Sequence, residues 1–286
     1  MTARSATSPG DLGGPRSQAG PGGTSAFVVL AAISAAFLGL PVAFLVARAV
    51  LGGSIGAALG STAVLDALVL SLATTAVSLV VTIFLGTPLA FLLARRRFRG
   101  SSLLEAIVDL PIVLPPSVAG LALLLVFGRS GLLGAPLAAL GLTIPFTTLA
   151  VVMAQVFVAA PFFIRSARAG FAAVDRDLED AARVDGAGEG AVLRFVTIPL
   201  AAPALAAGLV MAWARALGEF GATIMFAGSL GGRTQTLPLV VYGEFQAGDL
   251  DGSIAAAAIL VMAAVGVLFA VRGLRWGRAL DLRAGG

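Results

Sequence analysis

Long apolar runs recur along this 286-residue chain, and they limit its possible folds more than any other feature. Each run is about 20 residues or longer, which lets a helix cross a hydrocarbon core about 30 Å thick. The runs lack the alternating segments of about 10 residues that are typical of a transmembrane β-barrel. Only 12% of the residues are charged, against about 25% in soluble domains. The sequence therefore predicts an all-α, polytopic integral membrane protein.

The sequence contains no Cys, His or Lys, and the absence of these three residue types excludes several kinds of chemistry. All 19 basic residues are Arg. Thiolate and imidazole catalysis and metal ligation by Cys or His are therefore excluded. The lysine that a phosphate-binding P-loop requires is absent as well. We predict no catalytic residue, metal site or cofactor on this chain, no enzymatic activity and no nucleic-acid partner.

Hydropathy divides the chain into six predicted spans and two tails. The predicted spans are 26–47, 67–94, 102–127, 146–164, 199–227 and 252–271. Residues 1–25, rich in Gly, Pro and Ser, predict a disordered tail. The first run is longer than the apolar part of a signal peptide, which favours an uncleaved helix over 26–50. The main transmembrane domain is predicted over 64–272, with a second tail over 273–286.

Arginine placement predicts the orientation of these spans. Fifteen of the 19 arginines fall on the side of the amino terminus, and only Arg48, Arg129 and Arg233 fall on the opposite side. Positively charged residues concentrate in cytoplasmic segments. We therefore predict that both termini are cytoplasmic and that the lipid bilayer surrounds the spans.

One polar segment interrupts the apolar sequence between the fourth and fifth spans. Residues 175–194 hold nine of the 34 charged side chains. Asp177 is predicted to cap a short helix that carries Glu179 and Asp180 in its first turn. Gly186 and the two glycines that follow predict a bend, and Pro199 suits the start of the next helix. From the residues alone, a docking helix and a solvated connector both remain open.

Two further features mark candidate pathway residues within the spans. Pro115 and Pro116 must kink or break the third span, either as a packed kink or as a break that lines a pathway. Arg215 and Glu219 are four residues apart on the fifth span, where charged side chains face the bundle interior or a wet cavity. They could form a structural ion pair or, together with Thr223, line the pathway.

The polar segment resembles the signature loop of importer permeases of the ATP-binding-cassette (ABC) class. The family pattern is Glu-Ala-Ala, three residues, Gly, nine residues, then Ile-x-Leu-Pro. This chain has Asp180, Ala181, Ala182, Gly186, Val196, Ile198 and Pro199 at those positions. The departures at 180, 196 and 198 keep the charge or the apolar character.

The resemblance implies a coupling loop over residues 175–199, to which we assign Glu179 in addition to the matched residues. In the family, this loop docks in a cleft of a separate ATPase subunit, which holds the ATP and Mg²⁺. A type I importer permease fold, a homodimer of permeases and two ATPase subunits are also implied.

Two other stretches resemble molybdate importer permeases: "DLPIVLPPSVAGLALL" in the third span and "GEFGATIMFAGSLGGRTQTLPLVVYGEFQAGDLD" from the fifth. The resemblance covers residues from about 67 to 271. It implies import of molybdate across a bacterial cell membrane, with an extracytoplasmic binding protein that delivers the oxyanion. "GEFGAT" also resembles sulfate and thiosulfate permeases, and tungstate remains open as the substrate. An ion-coupled secondary transporter, which usually shows inverted repeats, and a purely structural membrane protein also remain open.

Overall fold

The structure is a computed structural model that describes the backbone of residues 21–96 and 98–284. It describes the side chains of residues 27–96 and 98–269. Most of the first predicted tail, residues 1–20, lies outside the described residues, and so do residues 285–286. Within the described backbone all regular structure is helical and no strand occurs, as the all-α prediction requires.

The helices of the described residues are numbered in chain order. They are α1 (Pro21–Leu51), α2 (Ser54–Leu59), α3 (Thr62–Arg95), α4 (Ser101–Val113), α5 (Pro116–Phe127), α6 (Gly134–Ala139), α7 (Thr148–Ala173), α8 (Arg176–Val184), α9 (Glu189–Val192), α10 (Ile198–Leu217), α11 (Gly221–Phe226), α12 (Leu237–Gln246) and α13 (Leu250–Ala284). A π-helical turn over Leu193–Thr197 joins α9 to α10.

Among the described residues, five helical segments are long and apolar enough to cross a membrane, and a bent pair of helices supplies a sixth candidate. The five are Phe27–Leu51, Thr62–Arg95, Thr148–Ala173, Glu189–Leu217 and Leu250–Phe269. The bent pair is α4 with α5, whose axes differ by 118°. Length and composition thus support the six predicted spans, and the protein is a multi-pass membrane protein.

The structure differs from the predicted spans mainly at their ends. The fifth predicted span, 199–227, is interrupted after Leu217, and the short helix α11 follows the interruption. The backbone of α13 stays helical to Ala284, through most of the second predicted tail. At the other end of the chain, α1 begins at Pro21.

The chain divides into two compact units, with the division inside α1 after Leu45. The first unit contains the amino-terminal part of α1, and the second contains the end of α1 and the remaining helices. In the second unit we call the end at which α7 begins the outer end. The end at which α7 stops and α8 follows is the inner end.

Small residues let α7 and α10 pack closely in the second unit. A Cβ atom at Gly170 would lie 2.5 Å from the Cβ atom of Ala204, and one at Gly208 would lie 2.7 Å from that of Ser166. The Ser166 hydroxyl donates a 2.7 Å hydrogen bond to the Ala204 carbonyl. Close backbone approach through small residues and interhelical hydrogen bonds stabilise helix pairs in membranes. The close packing of α7 against α10 therefore fixes the positions of the two ends of the loop that connects these helices.

Candidate functional site: a latched loop and two helix breaks

Helix α8 begins directly after α7, at a side-chain cap. The Asp175 carboxylate accepts a 3.0 Å hydrogen bond from the backbone N–H of Asp177, which satisfies one of the free donors of the first turn. The predicted cap, Asp177, is therefore wrong by two positions. The helix starts earlier because the extended backbone ends at Asp175, which then lies at the capping position.

Gly186 ends α8 with a left-handed backbone, at φ of +92°. The N–H of Gly186 donates to the Arg183 carbonyl at 3.0 Å, and the N–H of Ala187 donates to the Ala182 carbonyl at 3.0 Å. This arrangement is a Schellman turn, in which glycine adopts the left-handed conformation without steric penalty. The bend predicted from the glycines is thus made chiefly at Gly186.

Arg183 holds the two sides of this bend together. Its guanidinium donates to the Glu189 carboxylate at 2.8 and 3.2 Å and to Asp180 at 2.6 Å. Hydrogen bonds to Glu189 and to Asp180 raise the pKa of Arg183 above its ordinary value, and the bonds to Glu189 contribute most. All three side chains are exposed, so water and salt screen these pairs.

The inward face of α8 is fixed by a buried ion pair, which we call the latch. The Glu179 side chain is 5% exposed, and its carboxylate accepts a 2.7 Å hydrogen bond from the Arg95 guanidinium at the end of α3. The same carboxylate accepts a 2.6 Å hydrogen bond from the Thr197 hydroxyl in the π-helical turn before α10. Arg95 also donates to the Val174 carbonyl at 3.3 Å, at the end of α7. One ion pair therefore joins α3, α7, α8 and the start of α10.

The outward face of α8 exposes apolar side chains at the inner end of the protein. Leu178 is 50% exposed and Val184 is 87% exposed, and the exposed Ala181 lies between them. Their spacing of three residues places them along one side of the helix. Ala182, by contrast, is half-buried. Some of the predicted coupling residues on α8 therefore anchor the helix in the interior, and others lie on its exposed surface. The sequence prediction did not include Leu178 and Val184, which belong to that exposed surface.

The remaining coupling residues lie where the chain returns to the membrane. Ile198 is half-buried against the core between α3, α7 and α10, and the exposed Pro199 lies in the first turn of α10. Asp180 is exposed and pairs with Arg183. The coupling loop predicted from the sequence is therefore a single compact structure at the inner end.

The first helix break lies between α4 and α5. Leu114 is extended, with φ of −68° and ψ of 133°, and α5 begins after Pro115. Proline at 115 and 116 has no N–H to donate to the carbonyls four residues earlier, so the helix cannot continue. Both prolines are exposed in this single chain. The 118° bend shows that the prolines make a break and not a mild kink.

The second helix break lies between α10 and α11, and Glu219 is its central residue. One carboxylate oxygen of Glu219 accepts a 2.7 Å hydrogen bond from the N–H of Ala222, which caps α11. The other oxygen lies 2.6 Å from the Arg215 guanidinium, outside hydrogen-bond geometry. Glu219 is 1% exposed and Arg215 is 27% exposed. The predicted ion pair therefore exists, although Glu219 lies beyond the end of α10 and not on its helical face.

The two breaks pack directly against each other. A Cβ atom at Gly221 would lie 2.8 Å from the Cβ atom of Pro116, and one at Gly120 would lie 2.6 Å from the Ala222 carbonyl oxygen. Thr223 is buried beside them, and its hydroxyl has no hydrogen-bond partner among the described residues. The structure thus brings Pro116, Glu219 and Thr223 into one region, although they come from two separate sequence motifs.

Comparison with known proteins places the chain in a family. Residues 86–276 match the family described as "Binding-protein-dependent transport system inner membrane component". The chain belongs to this family of membrane transport components.

Two curated relatives have the same name, which refers to molybdenum transport. The chain is 42% identical over 205 residues to the molybdenum transport system permease protein ModB of Mycobacterium bovis, a match that covers 72% of this chain and 77% of the relative. It is 37% identical over 183 residues to the protein of the same name from Haemophilus influenzae, with coverage of 64% and 80%.

Solved structures of ABC transporters share the fold. A bacterial ABC transporter involved in the import of alginate matches with a TM-score of 0.71 and 17% identity, over 88% of this chain and 94% of that chain. The MetNI methionine ABC transporter, in an inward-facing conformation, matches with a TM-score of 0.58 and 22% identity, over 74% and 94%. Identities this low establish the fold alone. The predicted ABC importer permease fold is confirmed.

Proposed function

We propose that this chain is the transmembrane permease subunit of an ATP-dependent import system for molybdate. The family match and the relatives named for molybdenum transport support this assignment. The chain itself carries no ATP site in this proposal, because ATP and Mg²⁺ are held by a separate ATPase subunit.

The latch is the observation that carries the mechanism. The exposed apolar face of α8 is suited to dock in a groove of the ATPase. The buried Glu179 joins α8 to the ends of α3 and α7 and to the start of α10. Because a buried ion pair resists separation, a displacement of α8 by the ATPase is passed to three membrane helices together. ATP thereby shifts the population between inward-open and outward-open states, provided that it binds one state better.

The packed helix breaks are suited to line the pathway. At membrane depth, a broken backbone must be covered by protein or must face a water-filled cavity. The exposed Pro115 and Pro116 meet this condition if a second copy of the chain faces them, which favours a homodimer around a central pathway. Arg215 would offset the charge of the passing oxyanion, while Glu219 limits how tightly the anion is held.

The permease would have two further kinds of partner and a defined orientation in the membrane. Two ATPase subunits would dock at the inner end, which is cytoplasmic, as are both termini. An extracytoplasmic binding protein would deliver the oxyanion at the outer end. The complex would reside in the cell membrane of a bacterium.

Uptake of radioactive molybdate tests the proposal. The chain, an ATPase and a binding protein encoded with it would be expressed in bacteria that lack their own molybdate permease. We expect ATP-dependent uptake that excess sulfate does not block. Uptake that sulfate or thiosulfate blocks would assign the chain to those oxyanions instead, and competition with tungstate would measure discrimination within the molybdate group. Uptake without any ATPase would indicate an ion-coupled transporter and would refute the proposal.

A further inference from the structure

The outer end of the second unit contains a cavity of about 480 Å³ that lies apart from the latch and the helix breaks. It forms where the segment after α5, the segment before α7 and the segment after α11 come together. Its described lining includes Arg129, Arg233, Thr143, Phe146 and Thr147, and no carboxylate. The cavity is therefore positively charged.

The charge of these two arginines is not neutralised within the described part of the chain. None of the ion pairs among the side chains of residues 27–96 and 98–269 includes Arg129 or Arg233. Arg48, the third arginine predicted for the outer side, lies 3.5 Å from Asp251. The two outer arginines that have no acidic partner among the described side chains thus line one and the same cavity.

The backbone that carries Arg233 is held in place. Its N–H donates to the Leu230 carbonyl at 3.0 Å, and its carbonyl accepts a 2.9 Å hydrogen bond from the Thr148 hydroxyl. The Thr234 hydroxyl accepts a 2.9 Å hydrogen bond from the N–H of Leu230. Arg233 is therefore presented from a fixed turn.

The turn that carries Arg129 is equally constrained. The N–H of Gly131 donates to the Gly128 carbonyl at 2.8 Å, and the N–H of Leu133 donates to the Val126 carbonyl at 2.8 Å. Gly134 packs so closely on the Arg129 carbonyl that a Cβ atom there would lie 2.5 Å from its oxygen. Both guanidinium groups thus project from ordered backbone, which lowers the entropy lost when they bind an ion.

Phe146, which also lines the cavity, has a strained backbone and connects the cavity to the second helix break. Phe146 has a left-handed backbone with φ of 61°, which is uncommon for a residue other than glycine and persists only where the surroundings impose it. Its N–H donates to the Phe226 carbonyl at 3.4 Å. Phe226 ends α11, and Glu219 caps the beginning of α11. A helix of six residues, about 9 Å long, therefore connects Phe226, the partner of Phe146 in the cavity wall, to the cap at Glu219.

We propose that this cavity is an entry site for a tetrahedral oxyanion, held by Arg129 and Arg233 on its way to the helix breaks. The inference rests on the proposed function and adds a binding site to it. Guanidinium groups match the oxygens of such anions with paired hydrogen bonds. The exposed hydroxyl of Thr143 can donate a further hydrogen bond. Because both arginines are exposed, the site binds the hydrated anion weakly and releases it readily.

Direct binding to the permease–ATPase complex, without the binding protein, tests this site. The complex in lipid nanodiscs would be dialysed against radioactive molybdate. We expect saturable binding that is weakened about tenfold or more in the double variant Arg129→Gln/Arg233→Gln. Arg48→Gln is the matched control, because it also removes an outer arginine, and it should bind as the unmodified chain does. Equal binding by the double variant, or no binding by the unmodified complex, would overturn the inference.

A second measurement separates the anion from an acidic protein surface as the ligand. The affinity of the complex for the binding protein should be the same in the double variant and in the unmodified chain. If the double variant loses the binding protein and keeps its molybdate binding, the arginines dock the binding protein and the inference is wrong. Uptake by the unmodified system keeps the two proposals distinct: molybdate uptake without molybdate binding at this site would refute the entry site and leave the proposed function standing.

Discussion

The guanidinium of Arg95, at the last residue of a membrane helix, lies 2.7 Å from the carboxylate of Glu179, in the predicted coupling loop. Both side chains are at least 90% buried. A pair this buried is expensive to break from one side, since the remaining charge stays in the interior without its partner. A buried acid, Glu179, therefore fastens the loop to the membrane helices, whereas other acids of the same loop are exposed to water.

Removing one member of the latch should destabilise the protein more than removing both. Glu179→Gln or Arg95→Gln leaves one charge or its hydrogen-bond partners unsatisfied, at a cost of about 3–5 kcal/mol. In Arg95→Gln/Glu179→Gln no charge remains unpaired, so part of that loss should be regained. Thermal unfolding of the four proteins in detergent gives the double-mutant cycle.

The same variants separate coupling from simple stability. Arg95→Lys keeps the charge and should retain more transport per ATP hydrolysed than Arg95→Gln. Arg183→Gln is the control, because it removes the two exposed ion pairs of the same loop and should leave the unfolding temperature nearly unchanged. Additive effects in the cycle would show that the two latch residues do not act together.

The latch also shows where prediction from the sequence stops. The loop, its bend and its return proline follow from glycine, proline and charge placement, because those effects are local along the chain. The sequence marks Arg95 only as one of four clustered arginines on the side that is predicted to be cytoplasmic. Choosing it as the partner of Glu179 requires the packing of α3 against α7, which brings together residues 84 positions apart. The one signal in the sequence is that Arg95 directly follows the apolar run and so lies nearest to the core.

The pathway region shows the same limit. Proline chemistry predicts a disruption near residue 115, and the spacing of Arg215 and Glu219 predicts their pairing. That the disruption lies against Gly221 could not be predicted, because contact between two spans depends on small residues whose partners are distant in sequence. Similarly, apolar periodicity alone continues past Leu217, whereas α10 ends there and the Glu219 carboxylate caps the start of α11.

Replacing Gly186 tests the bend after α8. No atom lies within 4 Å of a Cβ atom built there, so a side chain has space, but φ of +92° strains any L-residue. Gly186→Leu should therefore distort the turn and reduce co-purification of the ATPase. Gly186→Asn should retain more of it, because Asn tolerates left-handed backbone better than Leu. Equal retention in both variants would show that the bend does not position α8 for docking.

A charged side chain at Val184 tests the exposed face of α8. Val184 is 87% exposed, so Val184→Asp should fold normally and weaken ATPase docking by at least tenfold, as expected for an apolar anchor at an interface. Asp180→Arg, which brings two like charges together beside Arg183, should also weaken docking. Leu140→Asp is the matched control, since Leu140 is 74% exposed at the opposite end. The ATPase retained on the purified chain measures all three, and full retention by Val184→Asp would exclude this face as the docking surface.

Neutral variants of Arg215 and Glu219 separate transport from packing. Glu219→Gln keeps an oxygen that can accept from the N–H of Ala222, so α11 should stay capped. Arg215→Gln/Glu219→Gln should therefore assemble with the ATPase and hydrolyse ATP, yet lose most molybdate uptake because the positive charge is gone. Normal uptake by this double variant would assign the pair a structural role only.

Alanine at Gly221 tests whether the two helix breaks must touch. The added Cβ atom would lie 2.8 Å from the Cβ atom of Pro116 and 3.0 Å from the backbone nitrogen of Ser117, so the breaks must move apart. Gly221→Ala should lower the unfolding temperature and reduce uptake, and Gly120→Ala should do the same through the Ala222 carbonyl. Gly243→Ala and Gly266→Ala are matched controls within helices, because nothing lies within 4 Å of a Cβ atom at either position. These controls should be neutral or slightly stabilising, since alanine favours a helix over glycine by about 1 kcal/mol. If Gly221→Ala behaves like the controls, contact between the breaks is not required for transport.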